Sequence, residues 1–229
     1  MLETIIEKIK IKNKRGKKQN MKKIVITGGP CAGKDCLKEK IVEVLGKDEN
    51  IKIFFVDEAA TSLILGGIVP NTEISMDDFQ TFVLKHQLFK EHLCEMAAKH
   101  YEDKNIKCVM FCNRGILDQL AYTSKEVMRN LLSYENMTLE DALHRYDCVI
   151  HLTSAANGAE EFYTLINDVN GEKIQVRTET IEQARILDEN TKNSWLEHEN
   201  LKVVENKKEQ TFEEKLNLAL DHILKELEK

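Results

Sequence analysis

The sequence predicts a three-layer α/β domain: a five-stranded parallel sheet in the order 2-3-1-4-5, helices on both faces, and a small lid. Three observations predict it. Five short apolar runs alternate with segments of helical periodicity, the pattern of a parallel sheet covered on both sides. The first run leads directly into a glycine loop that ends in Gly33-Lys34 and opens a helix. Finally, 229 residues with 42% apolar and 31% charged side chains suit one globular domain with room for a lid.

Residues 1–20 stand apart as a basic extension, with Lys8, Lys10, Lys12, Lys14, Arg15, Lys17 and Lys18 interleaved with Ile5, Ile6, Ile9 and Ile11. Either this is a solvated, loosely helical or disordered tail, or it is a basic amphipathic segment that touches anionic membrane lipid. Glu3 and Glu7 argue against a transit peptide. The domain proper is expected over 21–229. Lys23–Thr27 reads as the first strand, Gly33–Leu45 as a helix and Ile51–Val56 as the second strand. Glu58–Leu65 is helical and stops at Gly66-Gly67. Asp77–Tyr101 follows as a long helix, capped by Ser75 or Asp77, with Phe79, Val83, Leu84, Leu88, Leu93 and Met96 at near-helical spacing. Lys107–Cys112 is strand three, Thr138–Arg145 a helix, and Asp147–Leu152 strand four. The lid is expected at about 156–177, a stretch punctuated by Asn157-Gly158 and Asn170-Gly171. Thr178–His198 is a long helix, Leu201–Glu205 the fifth strand, and Phe212–Leu227 the closing helix.

Bulk properties exclude several classes. A net charge of -6 argues against a nucleic-acid binder, which needs a basic surface. No apolar run approaches the roughly 20 residues that cross a bilayer, so no transmembrane segment is expected. The six cysteines show no zinc-finger spacing; the Cys108–Cys112 pair flanks an apolar run and reads as buried thiols rather than a metal site. Free thiols suggest a reducing, cytoplasmic setting.

The strongest chemical signal is Gly28-Gly29-Pro30-Cys31-Ala32-Gly33-Lys34, a GxxxxGK (Walker A) loop. Its glycines let successive backbone N–H groups turn inward toward phosphate oxygens, and the following helix adds its positive N-terminal dipole. Lys34 places an ammonium where the β- and γ-phosphates of a nucleotide would lie. The next position departs from the motif: Asp35 stands, followed by Cys36, where Ser or Thr would bind Mg²⁺. A carboxylate there either binds Mg²⁺ itself or repels the phosphates.

Together with this loop, VDEAAT at 56–61 and NRGILDQLAY at 113–122 resemble the NadR-like, AAA-like P-loop ATPase domains, most closely the TRPL-translocation-defect GTP-binding proteins. HLTSAANGAEEFYTL at 151–165 and RTETIEQARILDENTKNSWLEHENLKVVEN at 177–206 extend the resemblance, as do Phe212 and Lys215, to roughly residues 22–220. It implies a nucleoside- or nucleotide-kinase-like fold, ATP or GTP with Mg²⁺ and, in the closest members, phosphoinositide binding or action through a protein partner. The family places Asp at the end of strand three, and this chain has Asn113. Asp35 and Asn113 therefore either exchange one carboxylate for another around the metal, or mark a site that keeps binding while losing chemistry. Because Mg²⁺ demands near-ideal geometry, the second is favoured.

Further candidates surround the loop. Asp57 and Glu58 follow strand two, where one serves as general base or holds a substrate hydroxyl, unless they are only helix N-terminal acids. Arg114 reads as a phosphate or substrate fork, or as the i,i+4 partner of Asp118. Gln80, Gln87 and Glu91 share a helix face that is expected to be solvated. Arg177 is the expected lid arginine, with Lys173 and Arg185 beside it. Asn206 follows the last strand, where its amide either bonds a purine edge or caps a turn. Two functions follow from these residues. One is a regulatory ATP- or GTP-binding protein with weakened Mg²⁺-dependent turnover. The other is a kinase-type phosphotransferase acting on a small nucleoside-like acceptor.

Overall fold

The structure is a computed structural model that describes residues 21–104, 106–164, 166–169, 172–175 and 179–229. The basic extension, Arg177 and the tip of the expected lid lie outside the described residues. In chain order the elements are β1 (Lys22–Thr27), α1 (Lys34–Leu45), β2 (Ile51–Val56), α2 (Ala59–Leu65), α3 (Met76–Ala98), β3 (Lys107–Asn113), α4 (Lys125–Tyr134), α5 (Leu139–His144), β4 (Cys148–Leu152), β5 (Ile166–Val169), β6 (Glu172–Gln175), α6 (Ile181–Asn193), β7 (Leu201–Val204) and α7 (Phe212–Leu227).

All five strands of the main sheet are parallel, in the order β2-β3-β1-β4-β7, so the predicted order holds with β7 as its fifth strand. β5 and β6 form a separate antiparallel hairpin inside the expected lid region. Alternate side chains of the central strands enter different cores, as the two-residue period of a strand requires. Ile24, Ile26, Val109 and Phe111 pack with Leu37, Ile41, Leu220 and Ile223 under α1 and α7. Val25, Met110, Cys112 and Val149 pack on the other face with Leu84, Met128, Leu132 and Trp195.

Three expectations need correction. The helix α4 is absent from the sequence reading although Met128, Leu131 and Leu132 form its buried stripe and Ser124 accepts from the Val127 N–H as its cap. The long C-terminal helix is shorter than 178–198: Thr180 and Gln183 form a capping box, and the chain leaves the helix after Asn193 to bury Trp195 and His198. The most consequential difference is on α3. Gln80, Gln87 and Glu91 are buried, not solvated, whereas Leu93 and Met96 are 46% and 48% exposed. Buried partners explain the inversion. Glu91 accepts from Gln87 Nε2 (2.9 Å), the Tyr146 hydroxyl (2.7 Å) and Arg145 Nε (2.5 Å), and a polar group so satisfied can leave water.

Candidate nucleotide site

The loop 28–34 joins the carboxyl end of β1 to α1, at the edge where ligands collect in open α/β sheets. Gly28 has φ +137°, and a Cβ there would lie 2.0 Å from the Leu152 carbonyl oxygen of the neighbouring strand. Gly33 has φ +95° and lies against the Phe212 ring. Both positions are closed to larger residues. Cys31, also left-handed at φ +57°, completes the curl. No side chain caps α1, whose N-cap is Gly33, so its first-turn N–H groups have no side-chain acceptor. Lys34 folds back into this cradle and donates to the Gly28 and Gly29 carbonyls at 3.2 Å each. Burial, with help from the nearby Arg114 charge, pulls the Lys34 ammonium down to about 8.

The loop is held from outside by residues to which the sequence reading gave no role. Asp188 on α6 accepts from the Gly29 N–H at 2.8 Å and lies 3.3 Å from Nε2 of the fully buried His151 on β4. Burial raises the Asp188 carboxyl, but His151 and the Gly29 amide outweigh it and hold it low. Lys215 on α7, only 3% exposed, donates to the Ala32 and Thr153 carbonyls at 3.3 and 2.6 Å and to Asn206 Oδ1 at 2.8 Å. One ammonium thus joins the phosphate loop to the segments after β4 and β7. A signal existed in sequence: Asp188 falls in phase with buried Ala184 and Thr191.

A cleft of about 2310 Å³ runs from the loop in two directions. On one side it reaches Glu58 and Arg114. Arg114 Nε donates to Glu58 Oε1 at 2.5 Å, and the Arg114 carbonyl accepts from Gln87 Nε2 at 3.2 Å. Arg114 itself sits at φ +70°, a strained conformation for a non-glycine residue. Burial alone would raise the Glu58 carboxyl, but Arg114 and Lys34 outweigh it and hold it down to about 2. The adjacent acid behaves differently. Asp57 is largely exposed and pairs with Lys38 at 2.6 Å. The Arg114–Asp118 pair does not form, because Asp118 accepts from the Thr27 hydroxyl (2.5 Å), the Gly115 N–H (2.7 Å) and Trp195 Nε1 (3.0 Å). Asn113 ends β3 with its Oδ1 buried and unpartnered, and the same is true of Arg114 Nη1 and both amide atoms of Gln119. Asp35 is exposed in the first turn of α1 and, like Asn113, lines the cleft.

On the other side the cleft passes Pro30 and Cys31 and ends between residues 155–162 and 206–212. Asn206 stands in this wall, with its amide nitrogen donating to the Ser154 and Asn157 carbonyls at 2.8 Å each. Arg185 donates to the Ala156 carbonyl and pairs with Glu160 and Glu182. Among the described residues no group of three or more His, Cys, Asp or Glu side chains is placed to hold a metal unaided. No disulfide joins any of the six cysteines, and Cys36 is exposed. No described helix is long and apolar enough to cross a membrane.

Comparison with known proteins agrees with this geometry. No curated protein matches the chain. A family model described as an AAA domain matches residues 23–215, from β1 to the lysine that clamps the loop. That match spans most of the chain, so the protein belongs to this AAA domain family and is a P-loop nucleotide-binding protein.

Proposed function

We propose that the protein is a kinase-type phosphotransferase: it binds ATP or GTP through Gly28–Lys34 and passes the terminal phosphate to a small hydroxyl-bearing acceptor beside Glu58 and Arg114. The observation that carries this reading is the second chamber. The cleft continues past Lys34 to Asn113, Arg114 and Gln119, whose buried Oδ1, Nη1 and amide atoms have no partners. Buried polar groups left unpaired each cost about 1–3 kcal/mol, a cost that a bound polar molecule removes. The resemblance to NadR-like domains supports a nucleoside-like acceptor.

The residues divide the work. Lys34 and the uncapped first turn of α1 hold phosphate oxygens and neutralise their charge. Arg114 is ready to meet the transferring group, with one guanidinium nitrogen free of partners. Glu58, ionised at neutral pH, accepts the acceptor's hydroxyl and orients it; so acidic a carboxylate is a weak base, so positioning is its main contribution. Mg²⁺ carried on the triphosphate needs only one or two protein oxygens, which the unpartnered Asn113 Oδ1 and the exposed Asp35 fit. When bound, it neutralises charge on the β- and γ-phosphates. Arg177 would join from the lid.

A second reading, a nucleotide-binding regulator with weakened turnover, is favoured by Asp35, whose negative charge beside the phosphates opposes binding of the transferring group. The membrane-lipid role belongs to this reading and is supported by the resemblance, for phosphoinositide, and by the basic residues within 1–20. Titration calorimetry with ATP and GTP, with and without Mg²⁺, tests the shared part; absence of any heat of binding refutes both readings. A γ-phosphate transfer assay over a panel of nucleosides then separates them. Transfer to an acceptor supports the phosphotransferase, and tight binding without transfer to any member supports the regulator.

A further inference from the structure

The two ends of the cleft differ in chemistry, and that difference orients the nucleotide. The phosphate-loop Lys34 lines the cleft together with Glu58 and Arg114, so the terminal phosphate belongs on that side. The nucleoside must then extend the opposite way, past Cys31 toward residues 155–162 and 206–212. That end carries two large aromatic rings in open contact with solvent. Phe212 is 51% exposed and sits at the start of α7; its Cε2 and Cζ are 2.8 Å from where a Cβ on Gly33 would be. Phe162 is 71% exposed, and its carbonyl accepts from Cys31 Sγ at 3.6 Å. The Phe212 ring therefore borders the phosphate loop at Gly33, the Phe162 backbone meets the loop at Cys31, and both residues line the cleft.

The polar groups at this end are poor readers of a purine. Bidentate recognition of a base edge by an asparagine needs a free N–H and a free carbonyl oxygen. Both Asn206 amide hydrogens are taken by the Ser154 and Asn157 carbonyls, and its oxygen already accepts from Lys215. Gln210 Oε1 is buried without a partner, but it is an acceptor, and adenine and guanine each offer it a hydrogen. Apolar stacking surface without an edge-specific pair favours any base with a π-face.

We infer that Phe212, with Phe162 in the same cleft wall, forms a stacking slot for the nucleobase, and that the site takes nucleoside triphosphates with little discrimination between ATP and GTP. The inference rests on the nucleotide-binding reading above and assigns the base end of that same site. Asn206 then acts through Lys215 and the neighbouring carbonyls, as a positioning residue that shapes the slot rather than a contact to the base.

The test uses the full chain and three probes in titration calorimetry with Mg²⁺: ATP, GTP and inorganic tripolyphosphate, which has the charge but no base. The wild type should bind ATP and GTP within about threefold of each other and tripolyphosphate more weakly. Phe212→Ala should weaken both nucleotides by about 5- to 150-fold, the span of base–aromatic stacking, while leaving tripolyphosphate unchanged. Phe212→Trp should restore nucleotide affinity, and Phe162→Ala should weaken ATP and GTP in the same direction as Phe212→Ala. The slot is overturned by a preference above about 30-fold for ATP or GTP, by an equal loss of tripolyphosphate and ATP in Phe212→Ala, or by no loss of either nucleotide. Wild-type binding of tripolyphosphate as tight as ATP removes the slot alone. Failure to bind any of the three probes removes the phosphate-loop reading and the slot with it.

Discussion

The Glu58–Arg114 pair allows a quantitative test, because one substitution separates stability from binding. Glu58→Gln keeps the side-chain shape and removes the charge. In the folded protein Glu58 is held near 2, against 4.5 for an ordinary glutamate, because Arg114 and Lys34 outweigh the effect of burial. A depressed carboxylate contributes stability that is complete above the unfolded value and is lost as pH falls through the folded one. The displacement corresponds to at most about 3 kcal/mol. With 28% of the Glu58 side chain exposed, solvent screening brings the expectation to about 2 kcal/mol. Urea denaturation at pH 7 should therefore show Glu58→Gln less stable than wild type by about 2 kcal/mol. The gap should shrink by roughly half near pH 3, within the window from 4.5 down to about 2. Triphosphate affinity should stay level or rise, because Arg114 loses its competing anion, while any phosphoryl transfer falls at least tenfold. A stability gap that is independent of pH, or one below about 0.5 kcal/mol at pH 7, would refute the electrostatic account of this pair.

Other substitutions address the remaining parts of the site. Asp35→Thr combined with Asn113→Asp should raise phosphoryl transfer at least tenfold over wild type if the metal shell is weakened, read by γ-phosphate transfer; loss of activity in each single variant would instead show that the two residues compensate each other. Lys215→Met should lower triphosphate affinity about tenfold in calorimetry, since Ala32 and Thr153 each lose a donor and an unpaired buried acceptor costs about 1–3 kcal/mol; an unchanged affinity would show that the loop keeps its shape without the clamp. Glu91→Ala leaves the partly buried Arg145 with Glu95 alone and takes the acceptor from the buried Tyr146 hydroxyl, and chemical denaturation should show a loss of about 1–3 kcal/mol; an unchanged stability would show that the stripe contributes nothing to the fold.

The sheet was legible because its code is local. Each strand is a short apolar run with a fixed two-residue alternation, and the right-handed crossover rule leaves few ways to connect five of them. The phosphate loop was legible for the same reason, since GxxxxGK states its own geometry at Gly28 and Gly33. The support around that loop was not. Asp188 is 159 residues from Gly29 and Lys215 is 183 from Ala32, and nothing in a helical period says which distant amide or carbonyl a polar side chain will meet. Arg114 shows the same limit at shorter range. Its i,i+4 spacing to Asp118 suggested a helical pair, but residues 116–121 form a tight 3-10 turn and Asp118 faces Thr27 and Trp195 instead.

The misread face of α3 is the most instructive of these, because its polarity serves the site. A helix with Gln80, Gln87 and Glu91 on one stripe looks solvated until the partners of Glu91 are counted. Arg145 and Tyr146 come from the end of α5 and the turn into β4, so no window along α3 contains them. Glu91 in turn accepts from Gln87, and Gln87 also donates to the carbonyl of Arg114. Arg114 is held at φ +70°, a conformation that costs a non-glycine residue about 1–3 kcal/mol and persists only where surrounding contacts over-determine it. Three such contacts hold it: the Arg114 N–H to the Ile26 carbonyl, its own carbonyl to Gln87, and its guanidinium to Glu58. The buried polar stripe therefore has a reason to exist that stability alone does not supply. It fixes the backbone of Arg114, the one arginine among the described residues that lines the cleft between the phosphate loop and the second chamber.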